Sequence, residues 1–271
     1  MTTMPADLRR AKILERIQRD GGASIGELAR DYDVSPITVH RDLERLARDG
    51  VIERVHGGAR PIRATPPHIQ VPTDWTKRLR QAQSQKEAIA AAAVQFVDDG
   101  GTIFVDSSTT CLAFARHLNR HPPRALTLVT NSPAIAMELD APAIHVVVTP
   151  GEVDQTLKMI GGRWAAEFLA GLNMEVAFIS AGGITLEHGL TTTRRALSDT
   201  LRAALASSAK GIGLIDSLKF GLSALVAIAR PEELDAVVVD DGLSRELVED
   251  YEAAGVNLVV AGGHRTASSV A

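Results

Sequence analysis

Two groups of residues in this chain have the types and spacing to do chemistry, and the first lies in the run Ser35 to Ala59, SPITVHRDLERLARDGVIERVHGGA. Ser35 is a favoured N-cap, Pro36 suits a first helical position and Gly50 suits a helix end, so the run predicts a helix and then a hairpin. At 100° per residue Val39, Leu43, Leu46 and Ala47 share one side, while Ile37, Arg41, Glu44, Arg45 and Arg48 share the other, with Thr38 on the flank. The first set packs. The second, with Ser35, Thr38 and His40, offers guanidinium, hydroxyl and imidazole groups that suit base edges and phosphates in a major groove. Arg54 and His56 on the hairpin are placed to lie along a phosphate backbone. The plainer alternative is a small helical oligomerisation module with a solvated basic face.

The second group is Asp106-Ser107-Ser108-Thr109-Thr110, which follows one apolar run and opens a helical one. Hydroxyls and unpaired backbone N–H groups at a helix start form an anion cradle, and ordinary hydroxyl capping is the alternative. Other apolar runs end at Asn131, Gly151-Glu152, Ala181-Gly182-Gly183, Glu187-His188-Gly189-Leu190-Thr191 and Asp216-Ser217-Leu218-Lys219-Phe220-Gly221. Lys219 is either a point charge for a phosphate or a solvated surface lysine.

Elements to position the first group are legible around it. Leu8, Ala11, Leu14 and Ile17 recur at helical spacing, and Ser24 with Glu27 forms an S-x-x-E capping box for a second helix through Tyr32. A tight turn, Asp33-Val34-Ser35, leads into the basic helix. After Gly50, Val51 to Val55 alternates toward a Gly57-Gly58 turn, as in the hairpin of a winged helix. Helix, short turn, helix and wing is an arrangement that reads duplex DNA.

Three prolines between residues 64 and 72 mark a linker, which divides the chain into residues 1–63, a linker 64–73 and residues 74–271. Asp74 to Val97 is free of Gly and Pro and reads as one long helix. Beyond it, apolar β-branched runs alternate with helical stretches. Strands are expected at Thr102–Val105, Leu126–Thr130, Ile144–Val148, Val176–Ile179, Gly211–Ile215, Ala236–Val239 and Leu258–Val260. Helices are expected near Cys111–Leu118, Pro133–Leu139, Trp164–Leu172, Ala196–Ser207 and Arg245–Ala254. Such alternation predicts a mostly parallel α/β sheet covered on both faces, with ligands at the carboxyl ends of its strands.

With 271 residues and 45% hydrophobic content the chain is large enough for two domains. Its formal net charge of −4 divides into +2 for residues 1–63 and −6 for 64–271, so positive charge is concentrated where the basic helix lies. The single Cys111 excludes an intramolecular disulfide and a multi-cysteine metal site, and reads as a small buried hydrophobe. No apolar run is long enough for a membrane span and no secretory signal is evident, which leads us to expect a cytoplasmic protein.

The motifs resemble those of the DeoR family of bacterial transcription regulators. Its N-terminal pattern is matched by Ser35, Thr38-Val39-His40-Arg41-Asp42-Leu43, Leu46, Gly50 and His56-Gly57-Gly58-Ala59, with His40 where the family has the first Arg of a pair. Its sensor signatures are matched by Asp106 to Thr110, Val129-Thr130-Asn131, Pro150-Gly151-Glu152, His188-Gly189-Leu190-Thr191 and Asp216 to Gly221. Two positions depart: Ser108 stands for a glycine, and Leu201 is where a lysine is expected. The resemblance implies a winged helix-turn-helix followed by a sensor domain of sugar-phosphate isomerase-like fold.

It also implies a repressor of a carbohydrate operon. The expected partners are a double-stranded operator, a small phosphorylated sugar or related metabolite, and further copies of the chain as a dimer or tetramer. No cofactor, metal or catalytic residue is expected: Gly211-Ile212-Gly213 lies inside a strand and lacks a dinucleotide fingerprint, and His188 and His264 lack a ligand set. The alternatives are a sugar-phosphate isomerase carrying a helix-turn-helix, with Glu187 and Lys219 as its groups, or a regulator of a non-phosphorylated ligand.

Overall fold

The computed structural model describes residues 6–20, 22–48, 52–55, 57–61 and 75–262. The chain divides into two compact units, Met1–Pro67 and His68–Ala271. The expected linker, 64–73, lies outside the described residues, as do Gly50 and His56.

The first unit is a winged helix-turn-helix. It runs α1 (Ala6–Asp20), β1 (Ala23–Ser24), α2 (Ile25–Asp31), α3 (Pro36–Arg48), β2 (Ile52–Val55) and β3 (Gly58–Pro61). Ser24 and Glu27 form the capping box of α2, each side chain bonded to the other's backbone N–H. Ile13, Ile17, Leu28, Val39, Leu43, Leu46, Ile52 and Ala59 form its core. The stripe expected on α1 is shifted: Ala11 is exposed, and Ile13 is buried one turn before Ile17. The hairpin turn is shifted too. Val55 pairs with Gly58, so Gly58 is outside the turn and sits in a strand pressed against β1. A Cβ at Gly58 would strike the Ala23 carbonyl, which explains the glycine.

The second unit begins with α4 (Trp75–Arg80) and α5 (Gln83–Ala93) where a single helix was expected. Ala82 adopts a left-handed conformation at the break (φ 51°). The buried ammonium of Lys86 donates to the carbonyls of Arg78 and Gln81 at 2.5 and 2.7 Å, satisfying oxygens that the ended helix leaves open. The carbonyl end of α4 is thus capped by a side chain of the next helix, with no Gly or Pro at the break.

There follow β4 (Thr102–Val105), α6 (Thr109–Arg120), β5 (Leu126–Thr130), α7 (Pro133–Glu138), β6 (Ile144–Val148), β7 (Glu152–Asp154), β8 (Met159–Gly161), α8 (Arg163–Ala170) and β9 (Met174–Ile179). Then come β10 (Gly183–Thr185), β11 (Gly189–Thr192), α9 (Arg195–Ala206), β12 (Ser208–Leu214), β13 (Val226–Ala229), β14 (Ala236–Val239), α10 (Arg245–Ala253) and β15 (Leu258–Val260). Seven strands form one parallel sheet in the order β15-β14-β12-β9-β4-β5-β6.

Strand alternation sends side chains into two cores. Ile103, Val105, Val176 and Phe178 pack with Ile89 of α5 and Phe114 of α6, while Phe104, Ala177 and Ile179 pack with Leu169 of α8 and Leu201 of α9. The antiparallel pieces, β7 with β8 and β10-β11-β13, are additions to the expected plan. Among the described residues no helix is long and apolar enough to cross a membrane.

Candidate functional site

On α3 the sequence phase becomes a physical division. Val39 and Leu43 are fully buried, whereas Ile37 is 67% exposed and Arg41, Glu44 and Arg45 are exposed beside it. Ser35 caps the helix: its Oγ accepts the Thr38 N–H at 3.2 Å, and the two hydroxyls lie 2.8 Å apart. Asp42 would repel phosphate on the outer face, but it is buried on the inner one. Arg9 of α1 meets it at 2.6 Å and Arg10 at 3.5 Å. This pair was missed, although a carboxylate next to Leu43 in the apolar phase signals it. His40, Glu44 and Arg54 meet between α3 and β2. The Arg54 Nη2 is 2.7 Å from His40 Nε2, and Glu44 Oε1 lies 3.3 Å from His40 Nδ1 and 3.4 Å from Arg54 Nη1. The side chain of Arg48 and all of His56 lie outside the described residues.

In the second unit, neighbouring parallel strands deliver polar residues to one end of the sheet. Asp106 follows β4, Ser180 follows β9, Asp216 follows β12 and Asp240 follows β14, and all four are buried. The Asp106 carboxylate accepts the backbone N–H groups of Ser108 and Ser180. Burial raises its pKa, opposed by those two N–H donors and by the charge of Lys219. Lys219 Nζ donates to Ser180 Oγ at 2.9 Å and lies 3.3 Å from Asp216 Oδ2. Ser108 is the N-cap of α6, its Oγ accepting the Cys111 N–H at 3.0 Å. Cys111 itself is buried, and desolvation followed by the charge of Asp106 pushes its thiol well up, so it is no nucleophile.

Over this end lies a cavity of about 350 Å³, walled by Arg78, Gln81, Lys86, Thr109, Gly182, Asp216, Lys219 and Leu222. A neighbouring space with room for about one water shares Arg78 and Gly182 and is lined by Asp106, Ser107, Ser108, Ser180 and Thr192. Trp75 Nε1 donates to the Ser107 carbonyl at 3.4 Å, tying α4 to the rim. Lys86 is pushed down to about 8, chiefly by burial and then by the nearby charge of Lys219. Three cationic side chains, one carboxylate, the Thr109 hydroxyl and the start of α6 therefore face one space, whose surplus of positive charge attracts an anion.

Of the residues expected here, Thr109, Gly182 and Lys219 line the larger cavity, and Asp106, Ser107, Ser108 and Gly182 line the small space beside it. Thr110 is fully buried with its hydroxyl unpartnered. Asn131 fastens β8 to the end of β5, its Nδ2 donating to the Ile160 carbonyl at 3.2 Å and its backbone carbonyl accepting the Ile160 N–H at 2.8 Å, while its Oδ1 is buried without a partner. Gly151 (φ 144°) lets its loop pass the Gly161 carbonyl, and Glu152 is exposed on β7. Gly183 lets β10 pass the Leu222 carbonyl, where a Cβ would collide.

Glu187 is a correction. The β10–β11 hairpin folds back antiparallel, so Glu187 borders a surface cavity with Arg202, Ser208 and Asp235 at the amino ends of β12 and β14, the opposite end from Asp106. Arg78 and Lys86 were missed. Lys86 had a signal: with Ile89, Ala90 and Ala93 it falls on the buried stripe of α5. Among the described residues no group of three or more His, Cys, Asp and Glu side chains is placed to hold a metal.

Residues 9–65 match the DeoR-like helix-turn-helix domain, and residues 81–241 match the DeoR C terminal sensor domain. The chain is 30% identical over 254 residues to the HTH-type transcriptional regulator GolR of Listeria innocua, covering 93% of this chain and 98% of that one. It is 30% identical over 229 residues to the glycerol-3-phosphate regulon repressor of Escherichia coli K12, covering 84% and 88%. It is 27% identical over 255 residues to the putative aga operon transcriptional repressor of Escherichia coli O157:H7, covering 94% and 93%. A ribose 5-phosphate isomerase from Plasmodium falciparum is similar over 52% of this chain and 54% of its own, at 14% identity and a TM-score of 0.39.

Proposed function

Since the chain belongs to the DeoR family of DNA-binding transcription regulators, we propose that it represses a carbohydrate-metabolism operon and leaves its operator when a small phosphorylated sugar or sugar acid enters the sensor unit. The observation that carries this reading is the cationic cavity: Arg78, Lys86 and Lys219 surround it, and Thr109 offers a hydroxyl at the start of α6. A phosphate gains charge-assisted hydrogen bonds there, while Asp106 and Asp216 suit the hydroxyls of a sugar. The lysine expected at Leu201 subtracts nothing from this cavity, because Leu201 is fully buried in the apolar core between the sheet and α8.

A regulator suits the geometry better than an isomerase. Glu187, the carboxylate that an enzyme reading would use with Lys219, lies at the other end of the sheet, so base and phosphate anchor are not assembled. Paired half-sites suit a helix-turn-helix, so the acting form is a homo-oligomer, dimer or tetramer, working in the cytoplasm. Isothermal titration of the full chain against matched pairs, each a sugar or polyol and its phosphate, tests the reading. The phosphorylated member should bind about tenfold or more tightly, as expected for charged hydrogen bonds, and Lys219→Ala should remove the preference. Equal affinity for the free compound would sink it.

A further inference from the structure

We propose that His40 is a positioning residue for DNA binding: its unprotonated imidazole holds the wing guanidinium of Arg54 against α3, and protonation turns Arg54 to the phosphate backbone. The inference rests only on DNA binding by the first unit and is independent of the effector. It begins with donors and acceptors. A guanidinium only donates, so at 2.7 Å from Arg54 Nη2 the His40 Nε2 presents its lone pair. The ring proton then sits on Nδ1, which faces Glu44 Oε1 at 3.3 Å. Glu44 also holds Arg54 Nη1 at 3.4 Å, closing a three-membered cluster from the reading helix to the wing.

A proton on Nε2 would set two donors against each other at 2.7 Å, and the contact opens. Glu44 is then shared between the imidazolium and Arg54, so α3 keeps only that divided contact on the guanidinium. The charge of the cluster changes with it. With His40 neutral, Glu44 and Arg54 cancel on a face that must meet phosphate; with His40 protonated, the cluster carries a net positive charge and an available guanidinium.

Among the described side chains the charged groups facing His40 are Glu44, one turn along α3, and Arg54 from β2, with Arg41 adjacent in sequence on the same exposed side. Arg9 and Arg10 of α1 face Asp42 on the opposite side of the helix. The side chains of His40, Glu44 and Arg54 are 46%, 47% and 34% exposed, so exchanging one does not open the core. DNA affinity is therefore expected to rise toward low pH, with a steeper salt dependence by about one released counterion.

Fluorescence anisotropy of the full chain on an operator duplex and on a random duplex, from pH 5.5 to 8.5 at fixed salt, tests this. The parent should tighten on both, on the order of fivefold, toward low pH. His40→Gln keeps an acceptor for Arg54 and does not titrate, so its affinity should stay flat at the parent's pH 8 value. His40→Arg carries a permanent charge and should stay flat at the parent's low-pH value. Arg54→Ala should at least halve the parent's pH response. A flat parent, a His40→Gln chain that keeps the parent's slope, or an Arg54→Ala chain with an undiminished slope overturns the proposal.

Discussion

In the reading unit the side chains offered to DNA stand within a few turns of one helix, and Ile37 is 67% exposed. In the sensor unit Asp106, Ser180 and Asp216 are 2, 3 and 4% exposed, and the contact from Asp106 to Ser180 spans 74 positions of sequence. A helix surface keeps its fold when a contacting side chain is removed, because the buried stripe does the packing. The cavity has no such separation: its polar groups are also the ties between strands. Substitutions should therefore uncouple stability from binding in the first unit and move them together in the second.

The largest effect is expected at Asp106. Asp106→Ala leaves two buried N–H groups without their acceptor, while Lys219 keeps Asp216 beside it, and should cost about 3–5 kcal/mol in the sensor transition. Urea unfolding of the full chain, followed by fluorescence of Trp75 and Trp164, would measure it, and a loss under about 1 kcal/mol would erase the contrast.

Next in size is Arg41→Ala, which should weaken operator binding by about 1–3 kcal/mol while shifting unfolding by less than about 0.5 kcal/mol. Gel-shift titration beside thermal unfolding decides it. Unchanged affinity removes Arg41 from the interface, and a large stability loss breaks the comparison from the other side.

The smallest effect is a pH response of the cavity. The folded chain releases the Lys86 proton near 8 and the unfolded chain near its ordinary 10.5. Between those values the unfolded state holds more protons, so this group makes folding more favourable as pH rises. An anion has the opposite preference, since it needs the ammonium. Affinity for inorganic phosphate, measured calorimetrically from pH 7.5 to 9.5, should fall through about 8 in the parent and remain flat and weaker in Lys86→Met. A parent without that decline would place the anion away from Lys86.

The same contrast governs what could be read from the chain. Thr102–Val105, Leu126–Thr130 and Ala236–Val239 match the observed strands end to end, because strands buried on both faces are continuous apolar runs, and the edge strands Ile144–Val148 and Leu258–Val260 match as short β-branched runs. The Ser35 cap and the two sides of α3 were equally plain, being local. β1, β7, β8, β10 and β11 were not, since two to four residues carry too little pattern and only their partners define them. The break between α4 and α5 was hidden because it falls at Ala82, a residue type that gives no helix-stop signal, with the open carbonyls of α4 met by the Lys86 side chain. Ser107, Ser108, Thr109, Gly182 and Lys219 were found from strand ends, whereas Arg78 looked like a solvated charge and Glu187 was misplaced by a hairpin that reverses.

The span from Asp106 to Ser180 also sets an order in time. Parallel pairing of β4 with β9 closes a long loop before any contact rewards it, so the sensor sheet is the slow part of folding. The reading unit needs only short closures, its α1-to-α3 tie spanning 33 positions. At ribosomal speed the roughly 200 residues that follow it take about 10–40 s to emerge. A newly made chain thus completes the surface that recognises DNA well before it completes the cavity, and for that interval the gene-reading half of the molecule exists without its sensor.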